Sequence, residues 1–270
     1  NVKQNVEKAI RYLTHVANYN NYYAQYIVGQ IYLTDDFKCK NIRQAIHYLT
    51  LAANNNHYDA QYIVGQIYLN DEFKCKNIEK AIHYLTLAAN NNHYYAQYIV
   101  GRIFLNDDFK CKNIEKAIHY LTLAANNNHY DAQYIVGQIY LNDEFKCQNI
   151  EKAIHYLTLA SNNNVVDAHY ALGIIYNSKN NGVHSLEKAI HFLTLAADKN
   201  HTKAQYLLGM IYSNERQHIN KAIHYYEMAA NNNNANAYFQ LGHIYLVGKF
   251  IHQDINKAIH YFSLASNFNH

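Results

Sequence analysis

Glycine recurs at Gly29, Gly65, Gly101, Gly137, Gly173, Gly209 and Gly242, a step of 36 residues five times over and then one of 33. Nearly every other residue type keeps phase with it. A fixed period in this range means stacked supersecondary units, none of which can bury its apolar face alone. A chain of 270 residues would otherwise suggest one or two globular domains. A solenoid has no central core, because its apolar contacts run from each unit to the next. Residues 1–270 therefore read as a single repeat array whose surface holds something.

The stretch 58–92 shows one unit. Its first half, Asp59-Ala60-Gln61-Tyr62-Ile63-Val64-Gly65-Gln66-Ile67-Tyr68-Leu69, places small or apolar residues at 60, 64, 67 and 68, the spacing of one helical face. Asp59 is expected at the N-cap or in the first turn, where an acid suits the helix dipole. Gly65 falls in the middle of this helix, where it costs about 1 kcal/mol relative to Ala. A crossing helix so close that a Cβ would collide explains why it recurs. The second half, Asn77 to Ala89, is a second amphipathic helix, with Asn77 suited to the N-cap and Ala81, Leu85 and Ala88 marking a tightly packed face. Asn90-Asn91-Asn92 ends it, since Asn tolerates the left-handed conformation that closes a helix. On this pattern the chain opens with a lone second helix, about Val6 to Ala17, and continues with seven helix pairs. The shorter step comes from the loop Ser213-Asn214-Glu215-Arg216-Gln217. The opening helix has no polar cap, so missing N-terminal repeats or self-association there are expected.

Composition narrows the function classes. Half the residues are hydrophobic, and the net charge is only +3, from 23 basic against 20 acidic residues. Basic residues sit beside acidic ones, as in Asp71-Glu72-Phe73-Lys74-Cys75-Lys76, which reads as a self-neutralising loop and not as a basic stripe for phosphates. There is no Pro or Trp, while Tyr reaches 28 and Asn is abundant, the usage an AT-rich genome produces. Cys39, Cys75, Cys111 and Cys147 are also 36 apart. Equivalent positions in neighbouring helix pairs lie about 10 Å apart, whereas a disulfide needs Cα atoms within about 7 Å. A ladder of free thiols fits a reducing compartment, and a cytoplasmic location is expected. No run of about 18 apolar residues is present to span a membrane, and no leader pattern opens the chain. Asn1 begins inside a repeat, so the chain is expected to be a fragment or a processed product.

The pattern Ala60-x-Tyr62-x-Val64-Gly65-x-x-Tyr68, then Lys80-Ala81-x-x-Tyr84-Leu85-x-x-Ala88-Ala89, resembles the Sel1-like repeat, a relative of the tetratricopeptide repeat. It recurs from about Val6 to the end. The family's Gly-Val-Pro-x-Asp loop survives only in part, at Gly182-Val183 and at Asp254, and elsewhere gives way to Phe-Lys-Cys-Lys/Gln-Asn. The resemblance implies an all-α fold, a right-handed α-solenoid of stacked helix-turn-helix repeats. It also implies that first helices line a concave face, with inward positions three before and one and four after each glycine. These are Tyr26, Gln30 and Leu33; Tyr62, Gln66 and Leu69; Tyr98, Arg102 and Leu105; and Tyr134, Gln138 and Leu141. Tyr and Arg often carry interface energy, but the tyrosines could equally be packing residues whose hydroxyls reach water or a neighbour. Gln66, Arg102 and Gln138 are the better binding candidates.

Other chemistry lacks a constellation. His47, His83, His119, His155, His191, His224 and His260 share one phase, and His57, His93, His129 and His201 recur in the turns. Residues one repeat apart cannot converge on a metal that needs about four ligands within 2.0–2.3 Å. The pairs Asp35-Asp36, Asp71-Glu72, Asp107-Asp108 and Asp143-Glu144 lack the ligand alternation of a calcium loop. Every candidate nucleophile or base is a repeat-phase residue, where a catalytic residue should be singular. No cofactor, metal or catalytic site is expected.

The leading reading is a non-enzymatic scaffold or adaptor holding a protein partner in its concave groove. Single-stranded nucleic-acid binding through stacked tyrosines is the alternative, opposed by the near-neutral charge. A purely structural spacer is a third. Repeats from about Ala24 to Ala160 are nearly identical, through recent duplication or selection for avidity. The Asn- and Tyr-rich usage and the recurring pentapeptide of Asn70-Asp71-Glu72-Phe73-Lys74 are similar to Sel1-like proteins of giant DNA viruses of the mimivirus type that act in virophage resistance. That resemblance implies a defence role beside a helicase and a nuclease.

Overall fold

The computed structural model describes residues 2–34, 41–70, 75–106, 111–142, 145, 147–213 and 216–267. They fall into two compact units, Asn1–Val136 and Gly137–His270. The described residues form helices and no strand. The lone opening helix is α1, Val2–Asn18, longer at its start than the apolar pattern indicated. Helix pairs follow: α2 Tyr22–Leu33 with α3 Ile42–Asn54, α4 Tyr58–Leu69 with α5 Ile78–Asn90, and α6 Tyr94–Leu105 with α7 Ile114–Asn126. Next come α8 Tyr130–Leu141 with α9 Ile150–Asn162 and α10 Val166–Asn177 with α11 Leu186–Ala197. The last two pairs are α12 Thr202–Tyr212 with α13 Ile219–Asn231 and α14 Ala235–Val247 with α15 Ile255–Asn267. The shortened loop before α13 ends in a 3-10 turn, Arg216–His218.

The glycine sets how closely a pair can approach. A Cβ on Gly65 would stand 2.5 Å from Leu85 Cγ, and Gly29, Gly101, Gly137 and Gly173 meet Leu49, Leu121, Leu157 and Leu193 in the same way. Opposite Gly209 the leucine becomes Tyr226, whose ring is buried and whose phenol burial pushes up to about 12. Ala81, Leu85 and Ala88 are fully buried, as their spacing indicated.

Helix ends are closed by polar side chains in a repeating way. Asn77, Asn113 and Asn149 cap the second helices by accepting from Lys80, Lys116 and Lys152 amides at 2.9 Å. The same Asn77 amide donates to Tyr68 O at 2.8 Å, tying the loop back to the first helix. At the other end, Asn56 takes φ 64°, the left-handed conformation expected of the Asn runs. Asn56 and His57 amides then donate to Ala53 and Ala52 carbonyls at 3.1 and 3.0 Å, a Schellman closure. Six further asparagines, from Asn20 to Asn233, share the positive φ.

Buried glutamines tie several first helices to the second helices on either side. Gln61 Nε2 donates to Ala53 O at 3.0 Å and Gln61 Oε1 accepts from Asn91 Nδ2 at 3.1 Å. Gln97 repeats this with Ala89 and Asn127, and Gln25 with Ala17 and Asn55. Aromatic pairs add to the stack within each repeat: Tyr68 lies parallel to Tyr84 at 6.3 Å with Lys80 Nζ 5.2 Å from the Tyr68 ring centre.

Candidate interaction groove

In the unit Asn1–Val136, the first helices α2, α4 and α6 present two clefts with common walls. One, of about 430 Å³, is lined by Leu33, Ile63, Gln66, Ile67, Leu69, Asn70 and Ile99. The other, of about 510 Å³, is lined by Leu69, Tyr98, Ile99, Arg102, Ile103, Leu105 and Asn106. Leu69 and Ile99 belong to both, so the clefts form one apolar groove across three successive first helices. Among these lining residues Arg102 carries the one formal charge.

The inward residues read from the sequence divide into two kinds. Gln66 and Arg102 are exposed and Leu69 lines both clefts, so they are available to a partner. The tyrosines are largely engaged. Tyr62 stacks on His93 with ring centres 4.2 Å apart, and Tyr98 on His129 and Tyr26 on His57 at the same distance. Their hydroxyls accept from the groove side: Gln66 Nε2 donates to Tyr62 at 2.8 Å, Gln30 Nε2 to Tyr26 at 2.7 Å and Arg102 Nη1 to Tyr98 at 3.3 Å. Burial pushes the Tyr26 and Tyr62 phenols up, so both stay neutral. Tyr134 and Gln138 sit half-buried on α8.

The sequence favours a structural or surface role for the histidines under those rings over a metal site, but it does not show that they cap helices. His57, His93, His129 and His201 are N-caps, their Nδ1 atoms accepting from Ala60, Ala96, Ala132 and Ala204 amides at 3.1–3.4 Å. Asn21 and Asn234 do the same through Oδ1. The available signal was positional, because each histidine falls where the outer repeats carry Asn. Burial holds all four imidazoles below their usual range, with Asp59 beside His57 and His93, Asp131 beside His129 and Asp167 beside His201 opposing the shift. Asp59 itself lies in the first turn of α4 and not at its cap.

Each second-helix histidine packs against the aromatic ring that follows it, edge-on in most, as His83 does to Tyr84 at 5.0 Å. Among the described residues no three His, Cys, Asp or Glu side chains come close enough to hold a metal. Cys75, Cys111 and Cys147 are free thiols. Cys39 and the four acidic pairs considered as calcium loops lie outside the described residues. No described helix is long and apolar enough to cross a membrane.

Stacked two-helix repeats with a side-chain groove on their first helices define an α-solenoid of the tetratricopeptide-like class. The Sel1 repeat pattern matches residues 1–14, 23–57, 59–93, 95–129, 131–165, 166–201, 202–234 and 235–267, so the chain belongs to the Sel1 repeat family. Proteins of this family generally act through protein–protein interaction. A protective antigen of uropathogenic Escherichia coli with an SLR fold is similar at a TM-score of 0.76 and 20% identity, over 95% of this chain and 56% of that one. A Sel1 repeat protein from Oxalobacter formigenes is similar at 0.70 and 25% identity, over 99% of this chain and 78% of that one. The chain thus spans little more than half the length of the first of these. No curated protein gives a significant match.

Proposed function

We propose that the chain is a non-enzymatic scaffold that seats an extended segment of a protein partner along the groove of α2, α4 and α6. The observation that carries this reading is the continuous apolar wall built by Leu33, Ile63, Leu69 and Ile99 beside the lone charge of Arg102. Apolar partner side chains fill the two clefts, and a partner carboxylate meets Arg102, which as a planar guanidinium can bind it through two hydrogen bonds. The resemblance to giant-virus Sel1-like proteins directs the partner search to a nuclease or a helicase and to a defence role.

The test is capture of partners on the tagged chain, with and without nuclease treatment, beside a Gln66→Ala/Arg102→Glu variant. Both side chains are exposed, so the variant keeps the fold. A protein partner that survives nuclease and is lost with the variant supports the groove. Capture abolished by nuclease makes nucleic acid the ligand and overturns the reading.

A further inference from the structure

A second surface adjoins the groove at the start of the first helices, where each second helix turns into the next first helix, and Tyr98 of the groove stacks on its His129. Exposed tyrosines line it at one-repeat intervals: Tyr22 and Tyr23, then Tyr58, then Tyr94 and Tyr95, then Tyr130. Tyr23, Tyr58, Tyr95 and Tyr130 keep 60%, 50%, 48% and 52% of their surface in solvent, so packing does not account for their rings. The cap imidazoles, buried at His57 and His129 and partly buried at His93, bridge them. Tyr23 meets His57 at 5.5 Å and His57 meets Tyr58 at 6.0 Å. Tyr58 meets His93 at 6.3 Å, and His93 meets Tyr94 and Tyr95 at the same distance. Tyr95 meets His129 at 5.5 Å and His129 meets Tyr130 at 5.9 Å. The result is an unbroken aromatic strip over four repeats, where exposed apolar side chains normally scatter singly.

Charge selects among the ligands that stack on aromatic rings. The turns and first helical residues, 18–24, 54–60, 90–96 and 126–132, contain no Lys or Arg but do contain Asp59 and Asp131. Such a surface repels phosphates and attracts cations. Tyrosine usage alone does not explain the strip either. The positions equivalent to Tyr22, Tyr58, Tyr94 and Tyr130 in the later repeats are Val166, Thr202 and Ala235.

We propose that this strip binds a basic, proline-rich segment in the polyproline II conformation. Surfaces lined by exposed aromatic rings recognise that helix, whose bare carbonyls and preset backbone cost little entropy to bind. Its turn of three residues advances about 9 Å, close to the step of about 10 Å between neighbouring helix pairs. Successive prolines therefore fall between successive tyrosines. Arginines at the same interval lie over the tyrosine faces with Asp59 and Asp131 as counter-charges.

The test uses fluorescence anisotropy with a labelled peptide of four Pro-Pro-Arg triplets on the whole chain. Binding is expected to weaken about tenfold or more for four Gly-Ser-Arg triplets and for four Pro-Pro-Glu triplets. A Tyr58→Ser/Tyr95→Ser/Tyr130→Ser variant with unchanged circular dichroism is expected to lose about as much. Asp59→Asn/Asp131→Asn should weaken the arginine peptide selectively, and Arg102→Ala in the groove should leave it unchanged. Equal affinity for the Gly-Ser-Arg peptide would reduce the strip to bulk charge and overturn the proposal. So would no binding, preference for oligothymidine or chito-oligosaccharide, or loss on Arg102→Ala with the tyrosine variant intact. Because the groove variant is read separately, failure here leaves the scaffold reading standing.

Discussion

Gln97 has no exposed surface, and both ends of its amide are committed, Nε2 to Ala89 O and Oε1 to Asn127 Nδ2, each at 3.1 Å. Leucine would fill about the same space and remove both bonds, leaving Ala89 O with the Asn92 amide at 3.1 Å and the exposed Asn127 side chain to water. Each bond so lost is worth about 0.5–1.5 kcal/mol net, only partly offset by the apolar surface the leucine buries. Gln97→Leu is therefore expected to lower the unfolding free energy by about 1–2 kcal/mol in urea titrations, whereas Gln66→Leu at the exposed position stays within about 0.5 kcal/mol. An unchanged midpoint for Gln97→Leu would show that the relay contributes nothing. The sequence displayed both glutamine registers, and the groove reading took 30, 66 and 138. A period reports phase and not depth. The clue to depth was local, since Gln61 adjoins Ala60 and precedes Val64 by one helical step, on the apolar stripe.

At the level of the helix, the chain closes each second helix and opens the next first helix within the same few residues. His57 illustrates the economy, with its amide completing the Schellman closure and its imidazole capping α4. The cap requires a bare Nδ1, which protonation removes. Burial depresses the imidazoles of His57, His93, His129 and His201, so the unfolded chain takes up protons that the folded chain resists. Their stabilising contribution is complete above about pH 6.5, the unfolded value, and is lost as pH falls through the lower folded values. Thermal melts should thus fall steeply between pH 7 and pH 5. Replacing all four by Asn, the residue already used at Asn21 and Asn234, should flatten that profile while keeping the caps. A profile unchanged by the replacements would place the acid sensitivity elsewhere. The fifth first helix lacks this device, because Val165 makes no side-chain cap bond. Val165→Asn is expected to raise stability by about 1 kcal/mol in urea titrations, and no gain would mean that α10 is closed by other contacts. The Asn runs were legible because left-handed Asn is a backbone preference. The histidine caps were not, because imidazole is an uncommon acceptor at that position.

Over the whole molecule the repeat, its two helices and the close approach at glycine were all readable, since each is a nearest-neighbour property. What the sequence left open is which face takes a ligand, because the same tyrosine serves packing at Tyr62 and exposure at Tyr58. The cores explain how strain should travel. Leu193, Ala196, Ala204 and Leu208 of α11 and α12 form one cluster, bordered by Tyr225 of α13. Ala222, Tyr226, Ala237 and Leu241 of α13 and α14 form the next, bordered by Tyr206 and Tyr261. Each reaches no further than an adjacent repeat, so stability behaves as a sum of neighbour terms. Gly209→Ala places a Cβ 2.5 Å from Cδ1 of the buried Tyr226 ring, which has no flexible end to move aside. Overpacking of about 1–3 kcal/mol exceeds the helix-propensity gain of about 1 kcal/mol. Hydrogen exchange should accelerate in α12 and α13, less in α11 and α14, and stay at the wild-type rate in α9. Uniform acceleration across Gly137–His270 would show instead that the unit opens as one cooperative body, and that its repeats are coupled beyond the reach of their shared side chains.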